Sequence, residues 1–168
     1  GLSKKINEEI SFIFNKYYKL KITGLRFFTV FGEWGRPDMM MMKFIDCHFK
    51  NETFSLYNYG KHHRDFTYIG DVTKIMFTLL KKNKKLKPAD IYNICSNRPV
   101  SLKKVIEIMK KNKIKPKIKK LSLQQADIIK THGNNKKLIK LINKIKYTSV
   151  NESILNTINW YKNYYQKK

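Results

Sequence analysis

Two arginines of this 168-residue chain lie in settings where a guanidinium could hold an anion. Arg36 stands between Gly35 and Pro37, so its backbone is rigid on one side and free on the other, which can aim the side chain at a fixed anion. Arg64 follows the turn sequence YGKHH, and an arginine on a strand beside a glycine turn is typical of a phosphate ligand. The alternatives are an ordinary turn arginine at position 36 and a local ion pair of Arg64 with Asp65.

Lys4 and two adjacent histidines carry no chemical signal by themselves. Lys4 stands beside Lys5 on a helical stretch, and the local pattern favours two solvated lysines. His62 and His63 are neighbours, so an extended strand would point them to opposite sides and they could not easily share a metal ion. We interpret both histidines as exposed turn residues.

The cysteines and the methionine run predict core packing rather than metal chemistry. Cys47 and Cys95 lie far apart, without a C-x-x-C motif or a histidine at metal-ligand spacing. This predicts two reduced, buried thiols, a reducing cytoplasmic compartment and no metal site. Methionines 39–42 would cover every face of a helix, and we interpret them as flexible core filler. The sequence contains no apolar run of about 18 residues, so no membrane span is predicted.

The charge of the chain leaves two interpretations open. A net charge of +24 is typical of proteins that bind nucleic acid or anionic surfaces, so a lysine-rich polyanion-binding module without catalysis is one interpretation. Only four of the 36 basic residues are arginine, the side chain that nucleic-acid readers favour. The lysines are spread among residues with A/T-rich codons, which favours the second interpretation, lysines on solvated faces and no specific nucleic-acid partner.

Hydrophobic periodicity predicts alternating strands and helices, and hence an α/β architecture. Glycine and proline mark residues 32–39 as a loop, and residues 81–90 form a polar linker. Predicted helices cover residues 3–18, 39–51, 70–83, 101–112 and 134–145, followed by a last helix that begins near 149. Predicted strands cover residues 21–31, two segments within 53–69, and residues 91–96 and 116–123.

Capping signals and one apolar stripe refine the helices. Asp71 is predicted to cap the helix over 70–83, and Ser101 the helix over 101–112. The sequence SVNE at 149–152 is a capping box that opens the last helix. The first helix carries an apolar stripe that could serve a core or a dimer interface equally; it consists of Ile6, Ile10, Ile13 and Tyr17.

Five ordered segments resemble those of one enzyme family. The segments are TGLRFFTVFGEWGRPDM, YNYGKHHRDFTYIGDV, YNICSNRPVSL, LQQADIIKTHGN and INWYKNYY. Their order and spacing are similar to those of the extended short-chain dehydrogenase/reductases, the NAD-dependent epimerase/dehydratase family, and within it most similar to the UDP-glucuronate 4-epimerases. The resemblance covers essentially all 168 residues, and its most specific parts are the G-R-P-D-M loop and the R-D-F-x-Y-I segment.

The resemblance extends to the first residues of the chain. Family members carry Y-x-x-x-K on a helix, followed by N-E, and GLSKKINE matches from the second position, with Lys4 as the motif lysine. We therefore expect the catalytic tyrosine directly before Gly1, and a Gly-rich dinucleotide-binding part upstream of it. Residues 1–168 would then form the C-terminal part of a Rossmann-like doubly wound fold plus a small sugar-nucleotide-binding α/β subdomain.

The resemblance implies an activity, the conversion of UDP-glucuronate to UDP-galacturonate by oxidation and reduction at C4 with bound NAD. Lys4 would act as a catalytic residue, because its charge would lower the pKa of the tyrosine from about 10, and it would also hold the nicotinamide ribose. Phe31 would lie beside the cofactor.

The resemblance also assigns substrate contacts. Thr29 would lie beside the sugar, and Arg36 in the loop that covers it. Arg64 would face the diphosphate, and Asp127 the nucleotide ribose. Two positions depart from the family pattern: Glu33 stands where proline is usual, and Ala126 where glycine is usual.

Three further expectations follow from the resemblance. The enzyme could instead be another UDP-, dTDP- or GDP-sugar epimerase, dehydratase or decarboxylase of the same family. Family members dimerise through the helix that carries Y-x-x-x-K, so the full-length enzyme is expected to be a homodimer. The present chain alone is expected to be inactive and not to bind NAD, because the tyrosine and the dinucleotide site would lie outside it.

Overall fold

Helices and mostly parallel strands alternate along the chain, which confirms the predicted α/β class. The computed structural model describes residues 1–125, 127–143 and 145–165. The helices are α1 (Leu2–Tyr18), α2 (Met40–Phe49), α3 (Ile69–Lys81), α4 (Leu102–Lys111), α5 (Lys136–Ile142) and α6 (Val150–Tyr165). The strands are β1 (Ile22–Phe27), β2 (Thr29–Phe31), β3 (Thr53–Leu56), β4 (His63–Arg64), β5 (Phe66–Tyr68), β6 (Ala89–Ile94), β7 (Val100–Ser101) and β8 (Lys117–Lys120).

The described strands associate in pairs. β1 pairs with β6, β2 with β5 and β3 with β8, all in parallel, whereas β4 pairs with β7 in antiparallel register. The single strand predicted over 21–31 is divided at Phe28, because the chain changes partner there. The Phe28 N–H donates to the Ile94 carbonyl of β6, and the next residues already pair with β5. Of the residues in β1 and β2, Phe31 alone is buried, at 8% exposed.

Two separate apolar cores form, each from segments that are distant in sequence. The first gathers residues of α2, α4, α6, β3 and β5, and includes the fully buried Phe44, Met109 and Ile154. The second gathers residues of α3, α5 and β6 around Ile75 and Leu138. Met41 and Met42 are buried in the first core, as predicted for filler. Both cysteines are buried and unpaired, and burial raises the pKa of Cys95 to about 11.

The caps are only partly as predicted. The hydroxyl oxygens of Ser101 and Ser149 accept the backbone N–H of Lys104 and Glu152, each at 3.2 Å, so both serines cap as expected. The prediction for Asp71 is wrong, because α3 already begins at Ile69. Asp71 is buried, and its two carboxylate oxygens accept the backbone N–H and hydroxyl of Thr148, each at 2.8 Å. It therefore anchors the chain ahead of α6 rather than capping α3.

The prediction that His62 is exposed is wrong, while His63 is exposed as expected. Strand β4 does not lie at a free turn. His63 pairs with Ser101 of β7 on one side and bridges Lys130 on the other. The His62 carbonyl accepts the Leu102 N–H at 2.9 Å, which fixes the preceding residue as well. His62 is consequently turned inward and only 2% exposed.

Candidate functional site

One cavity brings together three of the predicted site residues. It has a volume of about 350 Å³ and lies where β2, β3, β4 and the first turn of α2 meet. Thr29, Arg64 and Asp127 all line it, although they are distant in sequence. The remaining lining residues are Asp38, Met39, Met40, Lys43, Phe54, Ser55, Leu56, Tyr57, His62, Phe66 and Leu102. We call it the β4 cavity.

The β4 cavity combines an apolar wall with a few polar groups. Phe54, Leu56 and Phe66 are buried in the wall, and Phe54 packs edge-on against Phe44 of the core at 5.0 Å between ring centroids. The wall is therefore held rigidly by the first core. Apolar walls with a small number of convergent polar groups are typical of small-ligand sites.

Arg64 is held by Asp127 and not by its neighbour Asp65. Its Nη2 lies 3.2 Å from Asp127 Oδ1, and its Nη1 donates to the Ile129 carbonyl at 3.2 Å. Asp65 is fully buried and is occupied by other donors: its Oδ1 accepts the Ser96 hydroxyl at 2.7 Å, and its Oδ2 the Gly133 N–H at 2.9 Å. The local Arg64–Asp65 pair considered from the sequence is thus replaced by a long-range pair at the β4 cavity.

Asp127 lies between two basic side chains. Arg64 approaches its Oδ1, and His62 Nε2 lies 2.9 Å from its Oδ2. His62 Nε2 and Asp127 Oδ2 are close, but the N–H of His62 is not aligned with the carboxylate oxygen. The two side chains are therefore in contact without a hydrogen bond. Asp127 comes from the irregular stretch that follows β8, whereas both partners come from β4 and the residue before it. Ala126, the predicted departure beside it, lies outside the described residues.

Arg36 is not among the described residues that line the β4 cavity, and it pairs with Asp38. Its Nε and Nη2 approach Asp38 Oδ1 and Oδ2 at 3.0 and 2.5 Å. Both side chains are well exposed, at 75% and 63%, so the pair is solvated. The Arg36 guanidinium lowers the pKa of Asp38, mainly through these hydrogen bonds. Asp38 itself lines the β4 cavity, so Arg36 is linked to the cavity through its ion pair with Asp38.

The loop that carries Arg36 is fastened at its start. Gly32 has φ +135° and its Cα lies so close to Ile69 that a Cβ would meet Ile69 Cγ2 at 2.4 Å, so glycine is required there. The Tyr68 hydroxyl donates to Glu33 Oε1 at 2.6 Å. Trp34 is 70% exposed, but its ring lies 5.3 Å from that of Trp160 on α6. Glu33, where the family pattern has proline, therefore ties the loop to β5.

Lys4 and Phe31 lie outside the β4 cavity. Lys4 is exposed in the first turn of α1. Phe31 is buried at the carboxyl end of β2, edge-on to Phe66 with ring centroids 5.8 Å apart. Carboxyl ends of parallel strands are where open α/β sheets bind their ligands, so the place of Phe31 is compatible with its predicted role.

His62 is the site residue that sequence reasoning missed. Alternation along an extended segment could have found it, because residues two apart share a face and Arg64 was already assigned to the ligand. The glycine turn before the two histidines instead favours a surface position for both. Lys43 and Ser55 also line the cavity and carried no sequence signal.

A larger cavity is a weaker candidate. It measures about 560 Å³ and lies between β1 and α3, with walls formed mainly by aliphatic side chains and lysines such as Leu25, Leu80 and Lys84. The polar residues in its described lining are Thr23, Asn83 and lysines, without an arginine and carboxylate pair like that of the β4 cavity. Among the described residues, no three His, Cys, Asp or Glu side chains are grouped so that they could hold a metal ion. No helix in the described ranges has the length and apolarity needed to cross a bilayer.

Comparison with known proteins gives a consistent result. A family model described as the NAD dependent epimerase/dehydratase family matches residues 1–95. The chain is 35% identical to Protein CapI of Staphylococcus aureus, over 98% of this chain and 54% of that protein. It is 32% identical to UDP-glucuronate 4-epimerase 4 of Arabidopsis thaliana, over 97% of this chain and 41% of that protein. The chain spans about half the length of the curated relatives it matches.

A solved structure shares the fold. The UDP-glucuronic acid 4-epimerase from Bacillus cereus, in complex with UDP-glucuronic acid and NAD, aligns with a TM-score of 0.82 at 22% identity. The alignment covers 93% of this chain and 50% of that one. The α/β arrangement described above is therefore that of about half of such an epimerase chain.

Proposed function

Because the chain belongs to the NAD-dependent epimerase/dehydratase family, we propose that it is the nucleotide-sugar-binding part of an epimerase that converts UDP-glucuronate to UDP-galacturonate. Relatives named UDP-glucuronate 4-epimerase, at about one third identity, support this substrate. Another nucleotide sugar handled by an epimerase, dehydratase or decarboxylase of the family is the alternative. The chain alone is proposed to bind the nucleotide and to be inactive.

The observation that carries the proposal is the meeting of Arg64, Asp127 and Thr29 at one cavity. The resemblance assigned these residues to the diphosphate, the ribose and the sugar from three separate segments of sequence. The Arg64 guanidinium is a charged donor of the kind that binds phosphate oxygens, and its contacts with the Ile129 carbonyl and Asp127 hold it at the β4 cavity. The apolar wall with Phe54 and Leu56 offers a surface for a planar base.

Residues of this chain also suit the redox step. Bound NAD would supply the hydride acceptor and donor for C4 of the sugar. Lys4 is exposed on α1 and accessible to groups outside this chain, and Phe31 stands at the carboxyl end of β2, a sheet end where open α/β sheets bind their ligands. We propose that Lys4 keeps the proton-accepting tyrosine ionised by its charge and orients the nicotinamide ribose. Arg64 and Asp127 would meanwhile hold the nucleotide still while the sugar turns.

We also propose that the full-length enzyme is a homodimer and that it works in the cytoplasm. None of the residues of α1 is buried, and the apolar stripe of Ile6, Ile10, Ile13 and Tyr17 is 44–68% exposed. Such a surface is normally covered, by the rest of a longer chain or by a second copy. The two buried, unpaired cysteines support a reducing compartment.

Calorimetric titration with UDP and UDP-glucuronate tests the proposal. Replacing Arg64 by alanine removes a charge-assisted contact to phosphate, so we expect both ligands to lose about 1.5–3 kcal/mol of binding free energy, or about 10- to 150-fold in Kd. Arg26→Ala is the matched control, because Arg26 is an exposed arginine paired with Glu8 on α1 and lies outside the β4 cavity. Equal UDP affinity in wild type and Arg64→Ala would refute the phosphate assignment.

A further inference from the structure

His62 is an unusual buried group at the β4 cavity. Its side chain is 3% exposed, and its Nε2 has no hydrogen-bond partner among the described residues. Buried nitrogen atoms without a partner are uncommon because they have lost water and gained nothing in return. The nearest acceptor is Asp127 Oδ2 at 2.9 Å, close enough for a bond but misaligned. A small rotation of the Asp127 carboxylate would form it.

The two residues differ in how firmly they are held. His62 is fixed by the bond from the Leu102 N–H to its carbonyl and by the pairing of β4 with β7. Asp127 lies in irregular chain, and its backbone N–H donates to the Gln124 carbonyl at 3.1 Å. Its carboxylate depends on side chains for its orientation: Arg64 approaches Oδ1 and His62 faces Oδ2. His62, the more firmly held of the two residues, therefore offers a donor at a fixed place beside the second oxygen.

We propose that His62 is a positioning residue that aligns Asp127 Oδ2 with a hydroxyl of the nucleotide ribose, and so makes the site select ribonucleotides over 2′-deoxyribonucleotides. The inference rests on the proposed function. When the nucleotide binds, the Asp127 carboxylate turns toward the ribose and accepts a hydrogen bond from its hydroxyl, and the same turn completes the bond from His62 Nε2–H. Without that donor the carboxylate is held at Oδ1 alone, and its second oxygen no longer meets the ribose in a fixed direction.

Paired titrations with UDP and 2′-deoxy-UDP test the role of His62. For the wild type we expect UDP to bind about 10-fold more tightly than 2′-deoxy-UDP, since the lost bond is one to a charged acceptor. His62→Leu should reduce this ratio to about threefold or less by weakening UDP, with the affinity for 2′-deoxy-UDP unchanged. His62→Gln should restore the ratio, because the glutamine amide can donate from a similar place. Asp127→Asn should abolish the preference.

The outcomes separate the two claims. If the wild type binds UDP without preferring it over 2′-deoxy-UDP, the nucleotide site stands and the inference is overturned. If His62→Leu weakens both ligands equally, or keeps the wild-type ratio, His62 has only a structural role and the inference is again overturned. If the wild type binds neither ligand, the proposed function itself fails. If His62→Leu lowers the melting temperature, the result for His62→Gln decides. A preference for UDP over 2′-deoxy-UDP that is restored in His62→Gln at wild-type stability supports the inference, and a preference that is not restored overturns it.

Discussion

The β4 cavity and helix α1 differ in how completely this chain supplies their surroundings. Side chains at the cavity are backed by the first core and by bonds between distant segments, such as Arg64–Asp127. Helix α1 has no buried residue and is tied to the rest by polar contacts, among them the ion pair of Arg26 with Glu8 and the bond from Asn15 to the Pro88 carbonyl. The β4 cavity is thus lined and backed by segments of this chain, whereas α1 leaves its apolar stripe exposed.

The largest difference is expected for truncation of a phenylalanine in each region. Phe44 is fully buried in the first core, and Phe44→Ala should lower the free energy of unfolding by about 3–5 kcal/mol through lost burial and the cavity left behind. Phe12 on α1 is 40% exposed, and Phe12→Ala should cost less than about 1 kcal/mol. Urea denaturation of the two variants checks this. Similar losses in both would show that α1 is as well packed as the core.

A smaller effect is expected at alkaline pH. Burial, and after it the hydrogen bond to the Glu33 carboxylate, raises the pKa of Tyr68 to about 12. The folded state therefore favours the neutral phenol, so this contribution is fully present below about pH 10, the usual tyrosine pKa, and is lost as pH rises toward 12. Tyr68→Phe should flatten the loss of stability in that window.

The matched control for the pH experiment lies on α1. Tyr17 is 68% exposed, and Tyr17→Phe should keep the wild-type dependence on pH. Urea midpoints measured between pH 9 and pH 12 would compare the three proteins. A wild-type profile identical to that of Tyr68→Phe would mean that burial and the bond to Glu33 do not keep the Tyr68 phenol neutral.

The smallest effect is expected for Arg36. Its pair with Asp38 is well exposed, so Arg36→Ala should leave stability within about 0.5 kcal/mol of wild type and UDP affinity within about twofold. If its loop covers the sugar, UDP-glucuronate should be weakened more than UDP. Calorimetry with both ligands measures the difference, and equal losses for UDP and UDP-glucuronate would remove Arg36 from the sugar end.

Local patterns predicted the elements better than the contacts between them. Periodicity identified the α/β class, and Ser101 and Ser149 act as helix caps as expected, because capping depends on a few neighbouring residues. The role of Asp71 depends on Thr148, which is 77 residues away, and no local signal indicated that partner. The same holds for Asp127, whose meeting with Arg64 depends on how β4 and the chain after β8 are brought together.

The error at His62 has a specific physical cause. The glycine turn before it suggested a surface position, but β4 is enclosed between β7 and the bridge at Lys130. Enclosure is a property of strand order, which a single sequence does not display. The family resemblance supplied the roles of Lys4, Phe31 and Arg36. These roles stay predictions, because no contact among the described residues tests them.

A UDP titration of the isotope-labelled chain, followed by NMR, tests whether the β4 cavity is a nucleotide site. We expect saturable amide shifts confined to the β4 cavity, at His62, Arg64 and Asp127, with little change on α1 and with binding that survives raised salt. Shifts spread over surface lysines that vanish steeply as salt increases would instead indicate a polyanion-binding module. That result would contradict the account, because the cavity would then not be a nucleotide site.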